Sequence, residues 1–280
     1  MNRRAMAGRP RSQGLEARAA KTGRSRRPRH ALGAWPEIEK RLNSGGWRAL
    51  FLDFDGTLAR IRARPEQVRC SGRVRSVLSR LAHRPDLWIG VVSGRRSHTL
   101  ARLIRVNGIE YLGAYGAETP GSRLKISSAA RGGLTRVRRG LARRLGRDSG
   151  VWMENKGVSF AVHYRGARQH AGTSAEDALR REVAPERARL RLIAGRKSWE
   201  VVPREIPGKG AAVRAVMQRL PARSMGIYIG DSAADEKGFG ALPGGITIRV
   251  GRSGRSLARY FLRTPGEVLQ WLVRFEEALP

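Results

Sequence analysis

The sequence predicts an α/β fold, a doubly wound parallel sheet of Rossmann-like type interrupted by a smaller α+β unit. Three observations carry that prediction. Between residues 48 and 118 short apolar runs alternate with segments of helical period. From 119 to 205 the rhythm changes to alternating strands around two helical stretches. After 206 the strand and helix patterns of the first part resume.

The elements follow in chain order. Residues 1–30 carry ten Lys or Arg, a single acid (Glu16) and few large apolar groups, and read as a disordered basic arm. An Arg-rich, acid-poor start also has the composition of an organellar transit peptide. Residues 35–46 fit a short amphipathic helix closed by Gly45-Gly46. The first strand is 49–53. Helix follows over 73–82, with Val74, Val77, Leu78 and Leu81 on one face. A second strand is 87–92, a helix 97–104 and a short strand 111–113. The insert holds a helix near 133–145, strands at 151–154 and 159–164, a helix at 175–187, and strands at 190–193 and 198–202. The closing part reads as helix 209–219, strands 226–230 and 246–250, and helix 267–278. The expected division is an arm at 1–30, a core at 31–118 and 206–280, and an insert at 119–205.

Composition narrows the class. A length of 280 residues suits one or two domains, and 40% hydrophobic residues suffice for a core. The formal charge is +33, and the 56 basic residues include only seven lysines. Such a field favours anionic substrates and non-specific contact with nucleic acid. Residues 131–147 hold seven arginines and no acid, which reads foremost as a solvated helix face. No aromatics interleave with them, so stacking on single strands is not indicated, and no specific nucleic-acid partner is expected. The single cysteine, Cys70, leaves no intrachain disulfide and fits a reducing cytoplasm. No apolar stretch approaches the ~18 residues of a membrane span. The N-terminus lacks an apolar signal-peptide segment. The expected location is therefore cytoplasmic. Oligomeric state is not legible.

Four segments carry chemistry. Leu50-Phe51-Leu52-Asp53-Phe54-Asp55-Gly56-Thr57 is a buried-strand run ending in two acids. Ligands of open α/β sheets bind at such carboxyl ends. Two strand residues span roughly 6–7 Å, so two carboxylates can flank one phosphorus atom. One can attack and the other can protonate the departing oxygen. Taken alone, Asp-x-Asp-Gly-Thr also suits a calcium loop or an ordinary turn. Ser93 and Arg95 close a second apolar strand in Val92-Ser93-Gly94-Arg95. Lys209 opens a helical pattern in Pro207-Gly208-Lys209-Gly210. A third strand ends in Gly230-Asp231-Ser232-Ala233-Ala234-Asp235. Each segment has an ordinary structural explanation, and the ordered set of four does not.

That ordered set resembles the haloacid-dehalogenase-like phosphatases, which implies a hydrolase core with an inserted cap. The roles implied are Asp53 as nucleophile, Asp55 as acid/base, Ser93 on a phosphoryl oxygen and Lys209 as the neutralising cation. Asp235 would hold Lys209 or a metal-bound water. Asp53, Asp55 through its backbone carbonyl, and Asp231 form an oxygen-only set suited to Mg²⁺. The cap segment Glu154-Asn155-Lys156-Gly157-Val158-Ser159 with His163-Tyr164-Arg165 is similar to that of trehalose-6-phosphate phosphatases. So are Gly113-Ala114-Tyr115-Gly116-Ala117-Glu118 and Lys197-Ser198-Trp199-Glu200-Val201-Val202-Pro203. The resemblance spans roughly 47–275. It implies a Mg²⁺-dependent phosphatase that hydrolyses trehalose 6-phosphate to trehalose and phosphate through an aspartyl-phosphate intermediate, with Arg95, Glu118, Lys156 and Glu200 binding substrate. His163 reads as a structural strand end. The pattern is broken at Tyr115 (His in the family), Val202 (Arg), Ser232 (Asp) and Ala234 (Thr). Arg204 is the nearest arginine in sequence to compensate for Val202. Enzymes acting on sucrose phosphate or mannosyl phosphoglycerate share the core chemistry and remain open alternatives. So does a basic nucleic-acid binder on a phosphatase scaffold.

Overall fold

The structure, a computed structural model, describes residues 27–145, 150–167, 171–195, 197–251 and 255–279. The expected arm lies outside the described residues up to position 26, as do positions 146–147 of the arginine-rich segment. The arm's end is shorter than expected. Arg29–His30 form an edge strand, β1, paired in parallel with Tyr260–Leu262 at the far end of the chain.

The elements run β1, α1 (Trp35–Leu42), β2 (Arg48–Leu52), α2 (Gly72–Leu81), β3 (Leu87–Val92), α3 (Ser97–Ile104) and β4 (Glu110–Leu112). The insert follows with β5 (Glu118–Thr119), β6 (Ser122–Arg123), α4 (Ser128–Arg144), β7 (Trp152–Asn155), β8 (Phe160–His163), α5 (Ala171–Val183), β9 (Leu190–Gly195) and β10 (Ser198–Pro203). The chain returns through α6 (Lys209–Arg219), β11 (Met225–Gly230), α7 (Asp235–Gly240), β12 (Ile246–Val250), β13 (Tyr260–Leu262) and α8 (Pro265–Glu277).

Seven strands form one parallel sheet in the order β1-β13-β12-β11-β2-β3-β4. From β2 the chain steps outward one way, to β3 and β4. From β11 it steps the other way, to β12 and β13. The order therefore reverses between β2 and β11, which opens a crevice at their carboxyl ends. Strand β2 is buried along its whole length. Leu50 and Leu52 join a core with Trp35, Leu78, Ile229 and Trp271. Ala49 and Phe51 join another with Val213, Tyr228 and Phe239. This two-sided burial is why the strand reads as a continuous apolar run.

The insert has its own antiparallel sheet, β7-β8-β10-β9, backed by α4 and α5. Leu134, Val137 and Leu141 of α4 pack with Leu179 and Val183 of α5, and with Phe160 and Val201 of the sheet. The fold is thus a doubly wound core with an inserted α+β cap.

Candidate active site

The crevice is lined from both sheets. The lower side brings together Asp53 and Asp55 after β2, Ser93 and Arg95 after β3, Lys209 at the start of α6, and Asp231 at the end of β11. The upper side brings Lys156 and Glu200 from the cap. Of the residues expected to act, Asp235 lies just beneath the surface, fully buried at the start of α7.

Lys209 is the electrostatic centre. Its Nζ donates to Asp53 Oδ1 at 2.6 Å and to Asp235 Oδ1 at 2.7 Å. Burial would lower the lysine, but the two carboxylates outweigh it and raise its pKa. The two acids sharing this ammonium fare differently. Asp235 also accepts from the Tyr228 hydroxyl at 2.7 Å, from the Ser232 amide at 2.9 Å and from the Ser232 hydroxyl. Burial alone would raise its carboxyl, yet Lys209 and these donors hold it below the ordinary range. Among the described residues, the Asp53 carboxylate has Lys209 and a long 3.3 Å bond from Thr57 to its Oδ2. Burial pushes the Asp53 carboxyl well up, Lys209 opposes this, and Asp235 and Asp231 add to the rise. Asp235 is therefore the settled ionic partner. Asp53 keeps an under-satisfied oxygen facing the crevice.

The donor set fits a divalent cation. Ligand atoms of Asp53, Asp231 and Asp235 all lie within 4.8 Å of one another. One ammonium faces these three carboxylates. Burial, then the neighbouring Asp235, pushes Asp231 up to about 7, as expected where negative charge exceeds positive. The backbone makes room for Asp231. Gly56 sits at φ +87°, and a Cβ there would come within 2.1 Å of Asp231 Oδ2. Within the expected metal set, the Asp55 carboxylate stands apart, because Arg95 holds it. Arg95 Nε and one Nη reach its two oxygens at 2.6 and 2.8 Å, and that Nη also bonds the Pro65 carbonyl at 3.0 Å. In the expected metal set Asp55 takes part through its backbone carbonyl, which this fork does not engage. Arg95, expected on substrate, lines the crevice and grips Asp55 with two parallel bonds. Ser93 is buried at the crevice and accepts from the Arg95 amide at 3.2 Å.

Three residues of the expected sugar side are placed as follows. Glu118 does not line the crevice. It is buried beneath α3 and accepts from the Ser97 amide at 2.7 Å, the Ser97 hydroxyl at 3.0 Å and Arg96 at 3.2 Å. It satisfies the first turn of that helix, whose N-cap residue Arg96 has no capping side chain. Glu200 lines the crevice, but its oxygens already accept from Tyr115, Lys156 and Ser159. Arg204 is exposed and bonds the Arg187 carbonyl at 2.7 Å, away from the crevice. The residue opposite Val202 is Arg191 on β9, whose Nη donates to the Ile206 carbonyl at 2.7 Å. Val202 itself is fully buried in the cap core.

The crevice is also lined by residues that the cap motifs contain but that carried no expected site role, among them His163, expected as a structural strand end. His163 stacks on Trp152 with ring centroids 4.2 Å apart, and its Nε2 pairs with Glu154 Oε2 at 2.9 Å. Both His163 and Glu154 line the crevice, with Arg165 and Ser198. The signal was the period of two. Trp152 and Glu154 share a face of β7, and Trp152 lies opposite His163 on β8.

Solved structures share this architecture. The C-terminal domain of Candida albicans trehalose-6-phosphate phosphatase superposes with a TM-score of 0.77 at 21% identity, covering 91% of this chain and 99% of that one. A phosphatase of the haloalkanoate superfamily from Bacteroides thetaiotaomicron superposes at 0.58 with 17% identity, covering 83% and 96%. The fold is that of the capped haloacid-dehalogenase-like phosphatases. Within that class, residues 51–253 match the family described as trehalose-phosphatase. The trehalose-6-phosphate phosphatase of Escherichia coli is 30% identical over 82% of this chain and 87% of its own length. The chain belongs to the trehalose-phosphatase family. An uncharacterized glycosyl hydrolase of Mycobacterium tuberculosis is 34% identical over 86% of this chain. The chain spans 19% of that protein's length.

Proposed function

We propose that this protein is a Mg²⁺-dependent phosphatase that hydrolyses trehalose 6-phosphate to trehalose and phosphate. The observation that carries the reading is the Lys209 bridge between Asp53 and Asp235 at the reversal of the sheet. Family membership and the E. coli relative support the substrate.

In this reading Asp53 Oδ2 attacks phosphorus, because Oδ1 is held by Lys209. The bond from phosphorus to the sugar oxygen breaks, and the Asp55 carboxyl gives its proton to that oxygen. Asp55 then takes a proton from water, which attacks the phosphoryl group on Asp53 and restores the carboxylate. Lys209 offsets charge on Asp53 and the phosphate, and Ser93 donates to a phosphoryl oxygen. Asp53, Asp231 and the Asp55 carbonyl would hold Mg²⁺. The bound ion supplies positive charge to a dianionic substrate meeting a carboxylate. Asp235 keeps Lys209 in place. Lys156, with Glu154 and His163 beside it, faces the sugar. The same reading places the enzyme in the cytoplasm, where a lone thiol such as Cys70 stays reduced.

Phosphate release from a sugar-phosphate panel tests this. Trehalose 6-phosphate should be the preferred substrate, EDTA should abolish release and Mg²⁺ should restore it. Full activity in a metal-free preparation, or a preference for another sugar phosphate, would overturn the corresponding part.

A further inference from the structure

Tyr115 belongs to the turn that follows β4 at the edge of the seven-stranded sheet. Its hydroxyl nevertheless reaches the cap. It donates to Glu200 Oε2 at 2.7 Å, and both residues are buried. The backbone is bent to allow this. Ala114 and Tyr115 both sit in the left-handed region, at φ 48° and 58°, which L side chains rarely adopt. Two bonds to the Ser93–Arg95 turn hold them there: the Ala114 amide to the Arg95 carbonyl at 2.7 Å, and the Tyr115 amide to the Ser93 carbonyl at 2.9 Å. The phenol then crosses over Gly94. A Cβ at position 94 would lie 2.7 Å from the Tyr115 ring and 2.8 Å from its hydroxyl.

On the cap side, Glu200 Oε2 also accepts from Lys156 Nζ at 2.8 Å, and Oε1 accepts from the Ser159 hydroxyl at 2.7 Å. A carboxylate with three internal donors is an anchor and has little capacity left for sugar hydroxyls. Lys156 spends one of its three donors on Glu200 and keeps two for the crevice. A continuous chain therefore runs from the phosphate-side turn at Ser93–Arg95, through Tyr115 and Glu200, to Lys156.

We infer that Tyr115 is a positioning residue that sets the cap lysine Lys156 against the phosphoryl site and so selects phosphate esters carrying a sugar large enough to reach the cap. This rests on the substrate reading proposed above. A small ester occupies only the lower side and does not use the chain.

The test compares wild type, Tyr115→Phe, Lys156→Ala and the double variant on trehalose 6-phosphate and on p-nitrophenyl phosphate. Tyr115→Phe keeps the ring over Gly94 and removes only the hydroxyl. It should lower kcat/KM for the disaccharide about tenfold, mainly through KM, since a hydrogen bond to a charged group is lost. The small ester should change less than about twofold. The double variant should be no worse than Lys156→Ala alone, because Tyr115 acts through Lys156. Equal losses on both substrates, no loss on either, or multiplicative losses in the double variant would overturn the inference. A wild type that ignores trehalose 6-phosphate but turns over another sugar phosphate overturns only the substrate reading. The same cycle on that other sugar phosphate then decides the role of Tyr115.

Discussion

The two sides of the crevice are built on opposite principles. Below, Lys209 lies between two acids that approach it from the ends of different elements, Asp53 after β2 and Asp235 at the start of α7. Above, a carboxylate is the hub, and Glu200 gathers Tyr115, Lys156 and Ser159. The lower side leaves anionic oxygens facing the crevice, which suits a cation and a nucleophile. The upper side leaves ammonium protons facing it, which suits sugar hydroxyls. The departures from the family pattern at Tyr115 and Val202 fall at the cap and its joint with the core, and those at Ser232 and Ala234 fall below, beside Asp231. Asp53, Asp55, Lys209 and Asp231 stand intact below.

The largest expected effect comes from removing the lower hub. Lys209→Ala leaves Asp53 and Asp235 buried without their cation, and breaking such a pair costs about 3–5 kcal/mol. Denaturant unfolding should show that loss, together with the disappearance of phosphate release. Lys156→Ala should cost only about 1–2 kcal/mol, because Glu200 keeps two neutral donors. Equal destabilisation by the two variants would break the contrast between the sides.

A smaller effect separates holding an acid from holding a substrate. Arg95→Lys replaces a two-pronged fork on Asp55 with a point charge. It should lower kcat about ten- to a hundredfold with KM nearly unchanged. A rise in KM at constant kcat would instead return Arg95 to substrate binding.

The smallest effect concerns Glu118, which lies outside the crevice. Burial alone would raise its carboxyl, but the Ser97 amide and hydroxyl and Arg96 hold it below its ordinary value of 4.5. A depressed carboxyl stabilises the fold above that ordinary value, and the contribution disappears as pH falls through the folded value. Glu118→Gln should therefore lower the melting midpoint modestly at pH 7, and the gap to wild type should close below pH 4.5. Disaccharide selectivity should not move. A selective loss on trehalose 6-phosphate would contradict the position of Glu118 outside the sugar side.

Much of this architecture was legible in the sequence, for reasons that also mark where legibility stops. β2 was readable because burial on both faces leaves an uninterrupted apolar run. α6 was readable because Pro207-Gly208 precedes a clean helical pattern. The edge pair of Arg29–His30 and Tyr260–Leu262 was not, because Arg29–His30 is a two-residue strand inside a basic run with few apolar residues. α4 begins at Ser128, five residues before the expected start, with Gly132-Gly133 inside it. These glycines read as a break, yet a side chain at Gly133 would strike Glu186 at 2.8 Å. In the site, the motifs pointed to Asp53, Lys209 and Asp235, and the structure joins the three by ion pairs. The position of Glu118 at the start of α3 was not legible, because nothing in sequence distinguishes a carboxylate facing a ligand from one satisfying a helix end. The Tyr115 bridge was invisible because it depends on a left-handed turn at two non-glycine residues.

Asp53 is the residue proposed to carry the phosphoryl group. Rapid acid quench of the enzyme during turnover of trehalose 6-phosphate with Mg²⁺, followed by peptide mass spectrometry, tests it directly. One phosphoryl group is expected on the peptide bearing Asp53, and none in the Asp53→Asn variant, which should remain folded and inactive. A quenched enzyme that has formed product in a single turnover with no phosphoryl group on Asp53, or with one on another residue, would contradict it.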